Sequence, residues 1–518
     1  MGRAVHQRVH QAESGRTGAR RYAAARSLRA GGDQIEPFAT AELLVAFAVL
    51  AGAAVVLGRA TERVGVPVVL VFLLVGVLAG SEGLGHLAFE DYGLSFRIGT
   101  IALVLILFDG GLNTSASALK RYAAPAGLLA TVGVVGTAAL TGLAAHLLRF
   151  AWHEALLLGA IVSSTDAAAV FAVLRGSGIQ LKRRVGITLE AESGVNDPVA
   201  VFLTTTLIQP AMSGWHLGAE MLAQFGVGII AGIVIGYCGR WVLRRIQLPA
   251  SGLYPVLTLS LASLAFGAAT LLHGSGFLAV YVAALVLGNG AIPYRASVLR
   301  VHDALGWLSQ VGMFVVLGLL VFPSRLVDVL PIGIILGLVL ALVARPVVVA
   351  ACLAPFRYPI REIGYVGWVG LRGAVPIVLA IIPLLSGVSE AQRIFDIIFV
   401  IVVVNALVPG GTVAWVTRWL GMEADAPPPP RAGLDIDSRE PMDGELLSFY
   451  VDETLAVAGC RIADLPIPGE SAITVIVRGR TLVAPRGDTM LEVGDHVYVL
   501  TRAADLGMIE LLFGRPES

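Results

Sequence analysis

Residues 185–206 read VGITLEAESGVNDPVAVFLTTT, and residues 156–174, just before them, read LLLGAIVSSTDAAAVFAVL. Each stretch has the length and apolar content needed to cross a bilayer, about 20 residues. Each also carries charge in its middle. The first holds Glu190, Glu192, Ser193, Asn196 and Asp197, and the second holds Ser163, Ser164, Thr165 and Asp166. A charged side chain at bilayer depth costs about 2.5–3.5 kcal/mol on insertion scales, so such residues face an interior pathway rather than lipid. Glu192 and Asn196 are four apart, as are Ser193 and Asp197, and each pair therefore shares one helix face. Pro198 removes a backbone donor and crowds the carbonyl of Gly194, freeing that oxygen for an ion. The Ser-Ser-Thr-Asp run competes with the helical hydrogen-bond ladder and predicts a local break.

The same pattern recurs on either side. Residues 105–113, LILFDGGLN, place Asp109 and Asn113 near the end of an apolar run. Residues 364–380, GYVGWVGLRGAVPIVLA, set Arg372 among Gly370, Gly373 and Pro376, and Arg345 precedes Pro346 in another run. Across the chain, thirteen candidate spans can be marked: 42–58, 66–80, 98–112, 124–148, 152–174, 185–208, 222–243, 252–272, 275–291, 304–322, 330–352, 363–385 and 394–417. The interrupted fifth and twelfth lie seven apart and so run in opposite directions. Matching breaks in two inverted halves, spans one to six and eight to thirteen, point to a transport site near the midplane. No residue-level repeat accompanies them.

Composition agrees with this reading. Of 518 residues, 56% are hydrophobic and only 14% charged, against about 25% charged in soluble domains. Basic and acidic residues balance at 37 each, which gives no footprint for nucleic acid. Loops of one parity carry fifteen Lys and Arg, among them Arg59, Lys120, Arg175, Lys182 and Arg300; the other parity holds only Arg97, Arg149, Arg325 and Arg393. That bias puts the first set, and the C-terminus with it, in the cytoplasm of a cell whose inner membrane the chain spans. Cys238, Cys352 and Cys460 are scattered singly, without metal-ligand spacing or a disulfide framework, and read as small apolar filler.

The chain divides at its composition changes. Residues 1–40 are an Arg-rich tail without the apolar core of a secretory signal, expected to be disordered or to reflect a start codon assigned too far upstream. Residues 41–420 are the transmembrane part, and 421–440 are a linker containing APPPPRAG. Residues 441–518 are soluble in character, with AITVIVR (472–478) and HVYVL (496–500) as strands and a hairpin with a Gly-Asp turn between them. The expected fold is an all-α polytopic membrane protein with a small α/β cytoplasmic domain.

A hard monovalent cation takes oxygen ligands. Asp197, Asp166, Thr165, Ser193 and a freed carbonyl supply them, and a buried carboxyl group also holds a proton. One carboxyl that carries either, never both, couples two flows by competition. Asp197 is the expected exchange site, with Asn196 orienting its neighbours. Glu192 and Arg372 are expected to form a buried ion pair, because a lone buried charge is very unfavourable. Glu190, His146 and His273 read as interfacial or packing residues.

The strings FDGGLN (108–113), SSTDAAAVF (163–171), ESGVNDPVA (192–200) and GLRGAVP (370–376), in that order, resemble the monovalent cation/proton antiporter superfamily, and the Asn196–Asp197 pair resembles its NhaP-type sodium and potassium exchangers. The resemblance covers about residues 42–417. It implies thirteen helices with two crossed, unwound ones, a homodimer, and an elevator-like alternating-access cycle. It implies ion ligation by Thr165, Asp166, Ser193 and Asp197 and a salt bridge between Glu192 and Arg372. Asp109, where many members have Glu, is a further candidate. An Asn-Asp pair implies electroneutral exchange. Residues 459–500 resemble the C-terminal half of potassium-uptake regulatory domains, the TrkA-C module, which implies a small-molecule regulator. The Rossmann half and its Gly-rich fingerprint are missing, which argues against NAD. The joined pair resembles the potassium/proton antiporters of the NhaP and CvrA group. No cofactor and no enzymatic activity are expected. The alternatives are a sodium-selective antiporter, a gated cation channel and a non-transporting sensor.

Overall fold

The computed structural model describes residues 38–61, 67–209, 214–424, 444–502, 504–514 and 516. The expectations for the Arg-rich tail and for most of the linker therefore fall outside the described residues. The described part of the first compact unit, residues 38–54, belongs to helix α1 (Phe38–Thr61); the second unit is Val55–Ser518. Within the second unit follow α2 (Val68–Ala79), α3 (Tyr92–Asn113), α4 (Ala116–Leu147), α5 (Trp152–Ile161), α6 (Ala167–Gly176), α7 (Arg183–Ile208) and α8 (Gly214–Arg245). Then come α9 (Leu253–Leu271), α10 (Gly276–Gly288), α11 (Arg295–Leu319), α12 (Pro323–Phe356), α13 (Ile360–Trp368), α14 (Val375–Leu385) and α15 (Ala391–Trp419). Among the described residues, eight helices are long and apolar enough to cross a membrane on their own. The chain is a multi-pass membrane protein.

Two of the predicted runs are broken helices. The fifth splits into α5 and α6 at residues 162–166, and the twelfth into α13 and α14 at residues 369–374. Both breaks carry the residues that weaken helices, Ser-Ser-Thr-Asp in one and Gly370, Gly373 and Pro376 in the other. The sixth run is continuous: α7 passes through Pro198 without interruption. Single π-helical turns interrupt α4 at Leu129–Gly133, α12 at Leu340–Ala344 and α15 at Ala406–Gly410. Pro125, Pro346 and Pro409 lie beside or within these turns, which absorb the hydrogen bonds that proline removes.

Among the described residues, two hydrophobic clusters tie several of the helices together. One draws on α4, α6, α7, α12, α13 and α15, with Leu129, Val170, Val185, Val349, Tyr365 and Val413 at its centre. The other draws on α3 and α8 to α11, with Phe108, Leu243, Ala262, Val280 and Val298. Without a hydrophobic drive between lipid-bathed helices, small residues permit the close approaches that packing requires. Gly76 and Gly318 bring α2 onto α11; a Cβ on Gly76 would lie 2.2 Å from the Val315 carbonyl oxygen.

The C-terminal domain is a four-stranded antiparallel sheet, β1 (Glu445–Tyr450), β2 (Ala472–Arg478), β3 (Thr481–Val483) and β4 (Asp495–Thr501), in the order β1-β4-β2-β3. Helix α16 (Leu506–Phe513) packs Ile509 and Phe513 against Phe449, Ile476, Val497 and Val499. Strands β2 and β3 meet in the expected hairpin, where Gly479 takes φ +60°. Under the sheet, Arg478 holds the fully buried Asp495 through Nε at 2.8 Å and Nη2 at 2.9 Å.

Candidate functional site

The two breaks meet. The amide of Asp166 donates to the Leu371 carbonyl at 2.8 Å, so the unwound stretch of one helix pair is hydrogen-bonded to that of the other. Asp166 is the N-cap of α6, its carboxylate accepting from the Ala169 amide at 3.0 Å. Gly373 lets the second break approach: a Cβ there would sit 2.1 Å from Asp166 Oδ2.

Helix α7 is knitted to the first break by the residues that the sequence singled out. Asn196 donates through Nδ2 to the Thr165 carbonyl at 3.1 Å and to Thr165 Oγ1 at 2.6 Å. Ser193 Oγ donates to the same carbonyl at 3.2 Å and accepts from the Ala167 amide at 3.2 Å. Thr165 Oγ1 in turn donates to Glu192 Oε1 at 3.4 Å. Asn196 is fully buried, and among the described residues its Oδ1 has no partner. Asp197 is buried on the same helix, one residue on, with Ser164 and Asp166 within electrostatic reach.

The ion pair differs from expectation. Glu192 is bridged by Arg345, not Arg372, with Nη1 2.6 Å from Oε1 and Nη2 2.8 Å from Oε2, both residues 1% exposed. Arg372 sits in the unwound stretch, where two of its three nitrogens bond carbonyls. Its Nε bonds the Val162 carbonyl at 2.9 Å, at the C-terminal end of α5, and Nη1 bonds the carbonyl of Gly370. A helix C-terminus offers unpaired carbonyls and partial negative charge to a guanidinium, and Arg372 takes that place. Arg345, arriving from α12 beyond its π turn, is left to meet the carboxylate in the planar two-bond geometry that suits arginine.

A cavity of ≈ 690 Å3 opens beside this core, lined by Thr165, Asp166, Ser193 and Asp197 and, across from them, by Leu103, Leu107 and Met313. Asp109 lines it too, its carboxylate accepting from Asn113 Nδ2 at 3.1 Å. The lining also includes Glu190, Tyr281 and Asp303, which were not picked out as site residues from the sequence. Glu190, read there as an interfacial or packing residue, lies seven positions before Asp197, on the same face of α7. Its Oε1 accepts from Thr114 Oγ1 at 2.7 Å, and the Tyr281 hydroxyl donates to that Thr114 oxygen at 3.4 Å. The Tyr281 ring lies against Gly194, where a Cβ would come within 2.5 Å of it. The lining thus holds five carboxyl groups, Asp109, Asp166, Glu190, Asp197 and Asp303, and one cationic side chain, Arg175. Such a cleft concentrates cations. At its far end α3 and α14 close together, Gly99 against Val378.

Residues 42–419 match the family described as sodium/hydrogen exchanger, transmembrane, and residues 446–514 match the TrkA-C domain. The K(+)/H(+) antiporter NhaP2 of Shewanella baltica is 40% identical over 480 residues, covering 91% of this chain and 83% of its own. The K(+)/H(+) antiporter NhaP of Alkalimonas amylolytica is 41% identical over 453 residues, covering 86% and 79%. Among solved structures, the sodium proton antiporter MjNhaP1 of Methanocaldococcus jannaschii superposes with a TM-score of 0.62 at 24% identity, over 73% of this chain and 99% of that one, a likeness of fold.

Proposed function

The chain belongs to the sodium/hydrogen exchanger family of cation/proton antiporters, and on that premise we propose that it exchanges K+ for H+ across the inner membrane, one for one, by competition at Asp197. The observation that carries this reading is the placement of Asp197 and Asp166 together on an acidic cavity, beside two hydrogen-bonded helix breaks. Potassium as the cation rests on the two K(+)/H(+) relatives, each about two-fifths identical along most of the chain.

A cation entering the cavity meets Asp109, Asp303 and Glu190 before it reaches Asp197. There Asp166, the Thr165 hydroxyl and Ser193 Oγ supply further oxygens, and Asn196 holds Thr165 in place. A proton on Asp197 removes the charge that the cation needs, and a cation bound there excludes the proton. The loaded carrier has the same net charge in either form, because one K+ and one H+ each add a single positive charge at Asp197. Exchange is therefore electroneutral. The wider reading is thirteen spans in a homodimer, with one helix cluster moving past the other, the cavity facing the cytoplasm, and the C-terminal domain there as the seat of a small-molecule regulator.

Reconstituted protein in liposomes with an internal pH dye tests this. Under an imposed pH gradient, added potassium should collapse the gradient without changing an imposed voltage, and sodium or lithium should act less well. Asp197→Asn should insert and fold but give no exchange. Normal turnover by Asp197→Asn would remove the site; collapse of the voltage would mean a channel or an electrogenic carrier; no response to any cation would favour a sensor.

A further inference from the structure

Helix α8 carries a feature unrelated to the transport route. Tyr237, Arg240, Trp241, Arg244 and Arg245 fall at intervals of three, four, seven and eight residues, so they form one stripe on the helix surface. They line an open groove of ≈ 400 Å3 at the end of α8. Among the described residues, none of the three arginines has a carboxylate partner. Two of them lie over aromatic rings: the Arg240 guanidinium lies 5.1 Å from the Tyr237 ring centre and the Arg245 guanidinium 5.6 Å from that of Trp241. Arg240 is also packed on the turn after α10, where a Cβ on Gly290 would come within 2.3 Å of its Cδ. The arginines at the core are used otherwise; Arg345 and Arg372 are consumed by Glu192 and by carbonyl groups.

The neighbouring surface says what approaches. Toward the middle of α8 the same side exposes Ile230, Ile233 and Val234, with Tyr237 and Trp241 next and the arginines last. Apolar, then aromatic, then cationic is the order of a bilayer read from acyl chains to headgroups. By the loop-charge count, Arg240, Arg244 and Arg245 are on the cytoplasmic side. We propose that this groove binds the phosphodiester headgroup of an anionic phospholipid of the inner leaflet, with Arg240 and Arg244 on the phosphate, Arg245 beside it, and the acyl chains along Ile230 and Val234. Guanidinium forks suit phosphate oxygens, and the stacked rings hold the forks in place without neutralising them.

The test uses the full-length protein in nanodiscs of phosphatidylcholine with increasing phosphatidylglycerol, read by native mass spectrometry. The wild type should retain phosphatidylglycerol through gentle delipidation. The Arg240→Gln/Arg244→Gln/Arg245→Gln variant should retain it on the order of a hundredfold less strongly, since each arginine near an anionic surface contributes about a factor of five. The corresponding triple Lys variant, which keeps charge but not the fork, should fall between, and an unchanged melting temperature in both variants shows that the fold is intact. Equal retention by wild type and Gln variant overturns the proposal. So does equal displacement by millimolar inorganic phosphate, which would make the groove a free-anion site. A wild type that retains no lipid, while the Gln variant shifts from dimer to monomer, would assign the groove to a second copy of the chain.

Discussion

Glu192 and Arg345 face each other at 1% exposure with two short contacts, and among the described residues neither has another charged partner at that distance. Removing one leaves the other buried and uncompensated. Arg345→Met should therefore lower stability by about 3 kcal/mol, seen as a lower melting temperature in detergent, while the double variant Glu192→Gln/Arg345→Met should recover most of it. If Arg345→Met melts like the wild type and Arg372→Met does not, the pairing is wrong. Glu190 calls for a different readout. Seven residues of helix put it about 10 Å from Asp197. At that distance a unit charge contributes about 0.4 kcal/mol through water and several times that in less polar surroundings. Glu190→Gln should raise the potassium concentration for half-maximal exchange roughly two- to tenfold and leave the maximal rate. Thr114→Val, which removes only the hydroxyl bonded to Glu190, should change it little; an equal rise in both would make Glu190 a packing residue after all. The burial of Asp197 beside a cavity was legible in the sequence, because an Asn-Asp-Pro run in mid-span is too costly to face lipid. The partner of Glu192 was not. Arg345 and Arg372 both stand in apolar runs beside Gly or Pro, and the choice between them depends on which guanidinium the carbonyls of a broken helix capture. Glu190 was illegible for a related reason: its partner, Thr114, is 76 residues away on another helix.

At the scale of elements, helix-breaking residues foretold the two interruptions, and their contact through Asp166 and Leu371 gives those interruptions a common purpose. The π turns in α4, α12 and α15 had no comparable signal, since a proline in an apolar run is equally compatible with a kink. Nor did Pro198 interrupt α7, which neighbouring helices and the break beside Thr165 hold straight. Gly373 is where the crossing is tightest. Gly373→Ala would put a methyl carbon 2.1 Å from Asp166 Oδ2, and the carboxylate or the break must move. The variant should insert and melt near the wild type yet lose potassium-driven exchange in liposomes. Full activity would mean that Asp166 can leave Gly373 without consequence, and with it the argument that the paired breaks fix the ligands.

For the whole molecule, the acidic cavity is lined from two of the hydrophobic clusters, by Ala167 of one and Leu107 of the other, and the proposed carrier needs each cluster to keep its core while the contact between moving parts changes. Helices α3 and α14 meet just beyond the cavity. Leu103 is the first α3 residue to line the cavity, and Gly99 lies one turn beyond it; Val375 is the last on α14, and Val378 lies a turn beyond that. A Cβ on Gly99 would be 3.6 Å from the Val378 Cβ, within the spacing of a disulfide. In a chain whose Cys238, Cys352 and Cys460 have been replaced by serine or alanine, Gly99→Cys/Val378→Cys should therefore oxidise readily and hold the cavity closed at this end. If exchange requires the cavity to open alternately on the two sides, oxidation should stop potassium-driven proton movement completely, reductant should restore it, and either single variant should be indifferent to both. A fully cross-linked protein that still exchanges would show that α3 and α14 need not part, and the carrier would have to work by movements confined to the cavity lining.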